Sequence, residues 1–355
     1  MFTKVHATLQ LRPFYCRNVD SERIQMRFRT IRAHSALLFL TIITGKVRTM
    51  GLNNIMQIHA RAGLAVAALL LSSALPVSAN EIAVGDTMLT YEDAGSGPVV
   101  LFLHGAVSDL RVWSGIRDRV AEQHRFVAYD QRYFGPAEWP DEGAKFSVAT
   151  HAEDLAAVID ALDAGPVHLV TWSYGGLVGL QAAMRHRDKF RSITHFEPTV
   201  SSLHVGLPGE RAAIVQKFTS FGAMAEALQA GEEEDAVRRL IEAVFRLEPG
   251  EAETHSDLAQ QMWDDNARTL SPFLEAVAAV EPIDCDGLAG IEVPTLVMQG
   301  SDAYVLDAMM ADEVVRCQPK AIGAVLEGTN HGGPVQDPAA FVDAVLSFIQ
   351  STDNP

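Results

Sequence analysis

The sequence predicts an α/β architecture: a mostly parallel central sheet flanked by helices, with a helical cap inserted after the sixth strand. Three observations carry this expectation. Short segments of strand length, among them the continuous apolar run Val99–Leu103 and the mostly apolar Val167–Trp172, alternate with segments of helical periodicity. This is the pattern of strands buried on both faces and joined by helical crossovers. From residue 199 to about residue 289 the alternation stops and only helical patterns remain, and strand character returns at Pro294. With 355 residues, the chain is long enough to bury a substantial core.

Taken in order, residues 81–84 and 87–91 alternate apolar with polar around Gly85-Asp86 and read as an opening hairpin. Val99–Leu103 is the third strand, residues 110–121 a helix and 126–129 the fourth strand. A helix over 151–162, the strand Val167–Trp172, a helix over 174–186 and a strand over 192–196 continue the series. Within 199–289 the clearest helices are 232–245 and 256–279, and the acidic run 232–235 suits a helix start, where carboxylates favour the macrodipole. Strands at 294–298 and 322–326 and helices at 306–317 and 338–349 complete the chain. The domains expected are a leader over 1–79, a core built from 80–198 and 290–355, and a cap over 199–289.

The formal charge of −17 is unevenly distributed. Residues 1–79 hold ten of the 28 Lys and Arg but only Asp20 and Glu22 among the acids, so the remainder carries a net −25. So acidic a body repels phosphate backbones and anionic headgroups, which weighs against nucleic-acid and membrane-surface roles. Residues 62–79 read as an export signal: a polar, weakly basic start at His59 and Arg61, an apolar stretch, then Val77-Ser78-Ala79 as a small-residue cleavage site. Cleavage near Ala79 would leave Asn80 first, giving a periplasmic or secreted protein with no stable membrane insertion. Ser72, Ser73 and Pro76 interrupt the run before it reaches the roughly 20 residues of a membrane span. Residues 1–49 continue such a signal poorly, and Met50 or Met56 is the more natural start. Cys285 and Cys317 would survive processing, and sequence alone leaves open whether they pair. No C-x-x-C, H-E-x-x-H or calcium-loop spacing occurs, so neither a metal nor an organic cofactor is implied.

Chemistry concentrates at three strand ends. Val167–Trp172 runs into Ser173-Tyr174-Gly175-Gly176 and a helix, the setting in which a serine is exposed on a sharp strand-to-helix turn. Thr171 stands where a glycine is usual. His104-Gly105-Ala106 follows the third strand, where a second backbone donor for an oxyanion is expected beside the N–H of Tyr174. Ala106 is the first choice for that donor and Val107 the alternative. Asp302 follows the seventh strand, and His331 lies between the last strand and the last helix. The order serine, acid, histidine suits a nucleophile, an orienting acid and a general base. Glu197, ending the sixth strand, is the reserve acid, whereas Asp307 is placed too far into a helix to compete.

On these residues, and on Tyr129-Asp130-Gln131-Arg132-Tyr133-Phe134-Gly135 after the fourth strand, residues 81–351 resemble an α/β-hydrolase-fold protein with a helical cap, related to serine esterases and lactonases. The resemblance implies Ser173, Asp302 and His331 as the triad and Ala106 with Tyr174 as the oxyanion hole. It names no substrate. A small-molecule ester or lactone leads, amide, thioester or carbon–carbon cleavage could use the same groups, and a hydrolase-like receptor with little turnover is the competing class. Serine at the nucleophile position argues against dehalogenase and epoxide-hydrolase chemistry, which needs an aspartate there. Phe218, Phe221, Met224, Met262, Trp263 and Phe273 of the cap suggest an apolar substrate site or packing against the sheet. His104 is expected to support its loop rather than act as a base. The number of subunits is not legible.

Overall fold

In a computed structural model that describes residues 80–353, eight strands form one sheet: β1 Asn80–Val84, β2 Thr87–Gly95, β3 Val99–Leu103, β4 Arg125–Tyr129, β5 Val167–Trp172, β6 Phe190–Phe196, β7 Thr295–Gly300 and β8 Ala321–Leu326. The expected leader, signal and start site lie outside the described residues. The strand order is β1-β2-β4-β3-β5-β6-β7-β8. β1 and β2 pair antiparallel around Gly85, which adopts φ +56°, and every pairing from β4 onward is parallel. β2 runs four residues past the sequence expectation because Tyr91 to Gly95 pair with β4.

Side chains alternate between the two faces of each strand. Leu101 and Leu103 join one buried cluster, with helices α2 Val148–Ala161 and α3 Tyr174–Arg185, while Val100 and Phe102 join another, with α1 Arg117–Ala121 and Trp113. In the second layer Phe102 stacks on Phe126 at 5.0 Å, and Trp113 stacks on Phe341 at 6.0 Å. Burying each such ring contributes about 1.5–3 kcal/mol.

Between β6 and β7 the α-helices are α4 Glu210–Thr219, α5 Gly222–Ala230, α6 Glu233–Phe245, α7 Asp257–Asp265, α8 Leu270–Ala279 and the short α9 Cys285–Ala289, with no strand among them. Glu233, Glu234 and Asp235 occupy the first turn of α6, as the macrodipole favours. After β7 come α10 Val305–Cys317, the short α11 Gly333–Gln336 and α12 Pro338–Asp353. Cys285 and Cys317 form a disulfide with their Cα atoms 4.9 Å apart, tying the chain's return from the cap to the end of α10.

Two expected helices are broken. The 110–121 segment divides into a 3₁₀ turn, Leu110–Trp113, and α1. Asp109 caps the turn by accepting from the Arg111 N–H, and Asp130, after β4, accepts from the Leu110 N–H at 2.8 Å. The 256–279 segment divides at Asn266, which is fully buried. Its side chain accepts from the Gly135 N–H at 2.7 Å and donates to Asp109 at 2.8 Å. Pro272 falls in the first turn of α8, the part of a helix that tolerates proline.

The register fixes the functional edge. Trp172 of β5 stands opposite Phe196 of β6, and Phe196 opposite Met298 of β7, so the residues that follow β5 and β6 emerge side by side.

Candidate active site

Ser173, the residue after β5, has φ 53° and ψ −116°, an unusual conformation for a non-glycine residue and one that costs of order 1–3 kcal/mol. The surroundings enforce it. Its N–H donates to Phe196 O at 3.0 Å, and its carbonyl accepts from Gly176 at 2.9 Å and from Thr199 at 3.2 Å. A Cβ on Gly175 would come within 2.5 Å of His104 O, so only glycine lets the helix start this close to β3. The departure at Thr171 is accommodated differently: its hydroxyl lies 2.7 Å from His195 Nδ1, and its methyl fits against Gly179 of α3.

His331 follows β8 in the loop before α11 and is 7% exposed. Its Nδ1 lies 2.7 Å from Glu197 Oε2, and its carbonyl accepts from the Trp172 indole at 2.8 Å. Glu197 is 1% exposed, sits at φ 42°, and accepts the Gly300 N–H on its other oxygen at 2.8 Å. A neutral imidazole beside this carboxylate carries its proton on Nδ1 and leaves Nε2 able to accept. The acid brought to His331 is therefore Glu197 and not Asp302. Asp302 is exposed, its N–H donates to Thr329 O at 2.9 Å and its carbonyl accepts from Arg246 at 3.0 Å. Glu197 already fills the position between Gly300 and the imidazole, and the backbone turn after Gly300 directs Asp302 outward.

Ser173 and His331 line one cavity of about 1210 Å³. The Ser173 hydroxyl is 3.4 Å from Thr199 Oγ1, a resting contact, and no hydrogen bond joins it to His331. In proteins of this kind, catalytic contacts commonly tighten only once substrate is bound. Gly105 and Ala106 also face the cavity, and Gly105 is packed so closely that an added Cβ would lie 3.2 Å from Ser173 Cβ. Among the described residues the N–H groups of Ala106 and Tyr174 donate to no protein acceptor, and that of Tyr174 is at the positive end of α3. Val107 takes φ 47°, a rare conformation for a β-branched residue, which turns the loop back just after Ala106. The cap's Phe218, Phe221, Met224, Met262, Trp263 and Phe273 all contribute to the cavity wall, as does Trp172, whereas Tyr174 is fully buried beneath it. The arrangement can hold a carbonyl compound with one buried proton acceptor, one half-buried hydroxyl and two free N–H donors around it.

The sequence profile of the alpha/beta hydrolase fold matches residues 98–312. The chain belongs to the α/β-hydrolase family. Among its curated relatives is the 2-(acetamidomethylene)succinate hydrolase of Mesorhizobium japonicum, 23% identical over 76% of this chain and 94% of that protein. The pimeloyl-[acyl-carrier protein] methyl ester esterase of Aeromonas salmonicida is 28% identical over 74% of this chain and 99% of its own. Among solved structures, an esterase from Rhodococcus superimposes with a TM-score of 0.63 at 25% identity, covering 78% of this chain and 99% of that one.

In this hydrolase the buried His104, His151 and His195 do not line the cavity. Burial pushes His104 down to about 4, keeping it neutral. Its Nε2 accepts from the Gln131 N–H at 3.1 Å, so its proton is on Nδ1, donating to Gly105 O at 2.8 Å. His151 lies 2.7 Å from the Tyr174 hydroxyl, and burial pushes both His151 and His195 down to about 3. Sequence reasoning missed a further pair. Asp307 lies in the first turn of α10, 2% exposed, and binds the ammonium of Lys217 from the cap helix α4. One ligating atom from each of Glu197, Asp307 and His331 lies within 4.8 Å of the other two. The available signal was Asp307's place just after a strand end, where α10 begins.

Proposed function

We propose that this hydrolase cleaves a carboxylic ester or lactone of a partly apolar small molecule through an acyl-enzyme on Ser173. The observation that carries the reading is the buried His331–Glu197 contact facing the same cavity as the strained Ser173. His331 Nε2 takes the Ser173 proton as Oγ attacks the substrate carbonyl, and Glu197 orients the ring and stabilises the imidazolium. The negative charge that develops on the carbonyl oxygen is received by the N–H groups of Ala106 and Tyr174; one such donor is typically worth about 3 kcal/mol. The imidazolium then protonates the departing alcohol oxygen, and water, activated by the same histidine, releases the acid and restores Ser173.

The apolar cap wall supports a substrate whose acyl or alcohol part is hydrocarbon-rich, and the ester-hydrolysing relatives support ester cleavage. We include export in the proposal. The 62–79 segment and the Cys285–Cys317 disulfide both suit an oxidising compartment, and Edman sequencing of the native protein should begin at Asn80. Turnover of p-nitrophenyl esters of graded chain length tests the reaction. The wild type should show sustained turnover and Ser173→Ala a loss of at least about 10³-fold. Ligand binding without turnover in the wild type would point instead to a receptor.

A further inference from the structure

One buried ion pair joins the cap to the core directly beside the His331–Glu197 contact, and the mechanism above does not use it. Lys217 on α4 is 8% exposed and donates its ammonium to Oδ1 of Asp307, which is 2% exposed, while Oδ2 of Asp307 has no partner among the described residues. Asp307 and Glu197 thus set two carboxylates within 4.8 Å of one imidazole. Two carboxylates at that range put more negative charge around the ring than one does. The Lys217 ammonium offsets the second anion. Lys217 also lines the cavity, so the counter-charge is carried by an element that encloses the substrate.

We propose that Lys217 is a positioning residue of the cap: docked on Asp307, its ammonium sets the charge around His331 so that the imidazole is free to accept the Ser173 proton. The proposal rests on the serine-hydrolase reading above. Other polar and charged groups face this region. Tyr304, just before α10, donates to Ala243 O at 2.9 Å and has the Lys217 ammonium 6.0 Å from its ring centre. Arg246, which ends α6, sits 5.0 Å over the same ring and donates to the carbonyl of Asp302; Arg246 and Asp302 are both exposed, so solvent screens their charges. Undocking α4 would withdraw the cation and leave Asp307 unopposed, which makes the charge at the base depend on the state of the cap.

The test needs no knowledge of the substrate. The rate of Ser173 labelling by a fluorophosphonate is measured from pH 5 to 9 on the full chain, for the wild type, Lys217→Met, Lys217→Arg, Asp307→Asn and the double variant Lys217→Met/Asp307→Asn, with a thermal melt of each. Lys217→Met should move the acid limb of the profile up by about one pH unit and Asp307→Asn should move it down, whereas Lys217→Arg and the double variant should stay close to the wild type. Folded single variants that leave the limb in place, move it in the same direction, or only scale the rate equally at every pH would overturn the proposal. Should Asp307→Asn fail to fold, the contrast between Lys217→Met and Lys217→Arg decides. A wild type that is not labelled at Ser173 at any pH would remove the serine-hydrolase reading itself, an outcome distinct from an unmoved limb.

Discussion

At the scale of single residues, the position of the acid separates what local sequence reveals from what pairing decides. Glu197 and Asp302 each follow a sheet strand, each lie at the same edge, and either could in principle face a histidine in the last loop. Only Glu197 points inward, because Gly300 N–H and His331 Nδ1 each hold one of its oxygens. Glu197→Gln should therefore lower kcat/KM by about 10²–10⁴, since an amide cannot stabilise the imidazolium, while Asp302→Asn should stay within about twofold of the wild type. Ester-hydrolysis kinetics on the two variants side by side measure this, and the reverse ranking would restore Asp302 as the acid. Ser173 and His331 could be found from contiguous signals, a strand-to-helix turn and a glycine-flanked loop. Which carboxylate meets the imidazole depends on how the ends of three strands line up, and no local pattern encodes that register. Helical periodicity places Asp307 too far into a helix to compete, yet it falls in the first turn of α10, where its carboxylate lies within 4.8 Å of the Glu197 and His331 side chains.

At the scale of elements, the strands were legible because both faces of the sheet are covered, so β3 reads as an uninterrupted apolar run and β5 as one broken only by His168 and Thr171. Helices failed to read where a tertiary contact overrides periodicity. Asn266 ends α7 because its amide is required by Gly135 and Asp109, residues far away in the chain, so the apolar period continues in sequence through a point where the helix stops. Asn266→Ala should cost about 2–3 kcal/mol, through loss of these bonds and the buried partners left behind, and should show as a lower urea midpoint. Fluorophosphonate labelling of Ser173 should change little once the variant is folded, because Asn266 does not line the cavity. An unchanged midpoint would mean that the two bonds do not hold the cap helices to the loops after β3 and β4.

At the scale of the whole molecule, His104, His151, His168 and His195 are buried and neutral, pushed down to about 4, 3, 4 and 3 by desolvation. Unfolded histidine titrates near 6.5, so on acidification the unfolded chain takes up protons that the folded chain refuses. The resulting stability is complete above about pH 6.5 and is lost as the pH falls toward 4, at up to about 1.4 kcal/mol per pH unit for each histidine. Urea melts between pH 6.5 and 5 should show this slope, and His195→Gln should remove roughly a quarter of it; a flat profile would mean that these side chains take up protons in the fold as readily as in the unfolded chain. The site of the acid also has a bearing on how such a protein can diverge. Glu197 comes before the chain enters the cap, on the strand next to the one that carries Ser173. Ser173 and Glu197 are thus set by adjacent strands with no cap residue between them. On the mechanism proposed, a recombined or lengthened lid, grafted between the ends of β6 and β7, would inherit Ser173 and Glu197 undisturbed and need only preserve the seat of α10, so specificity could change by cassette exchange while these two residues stay in register.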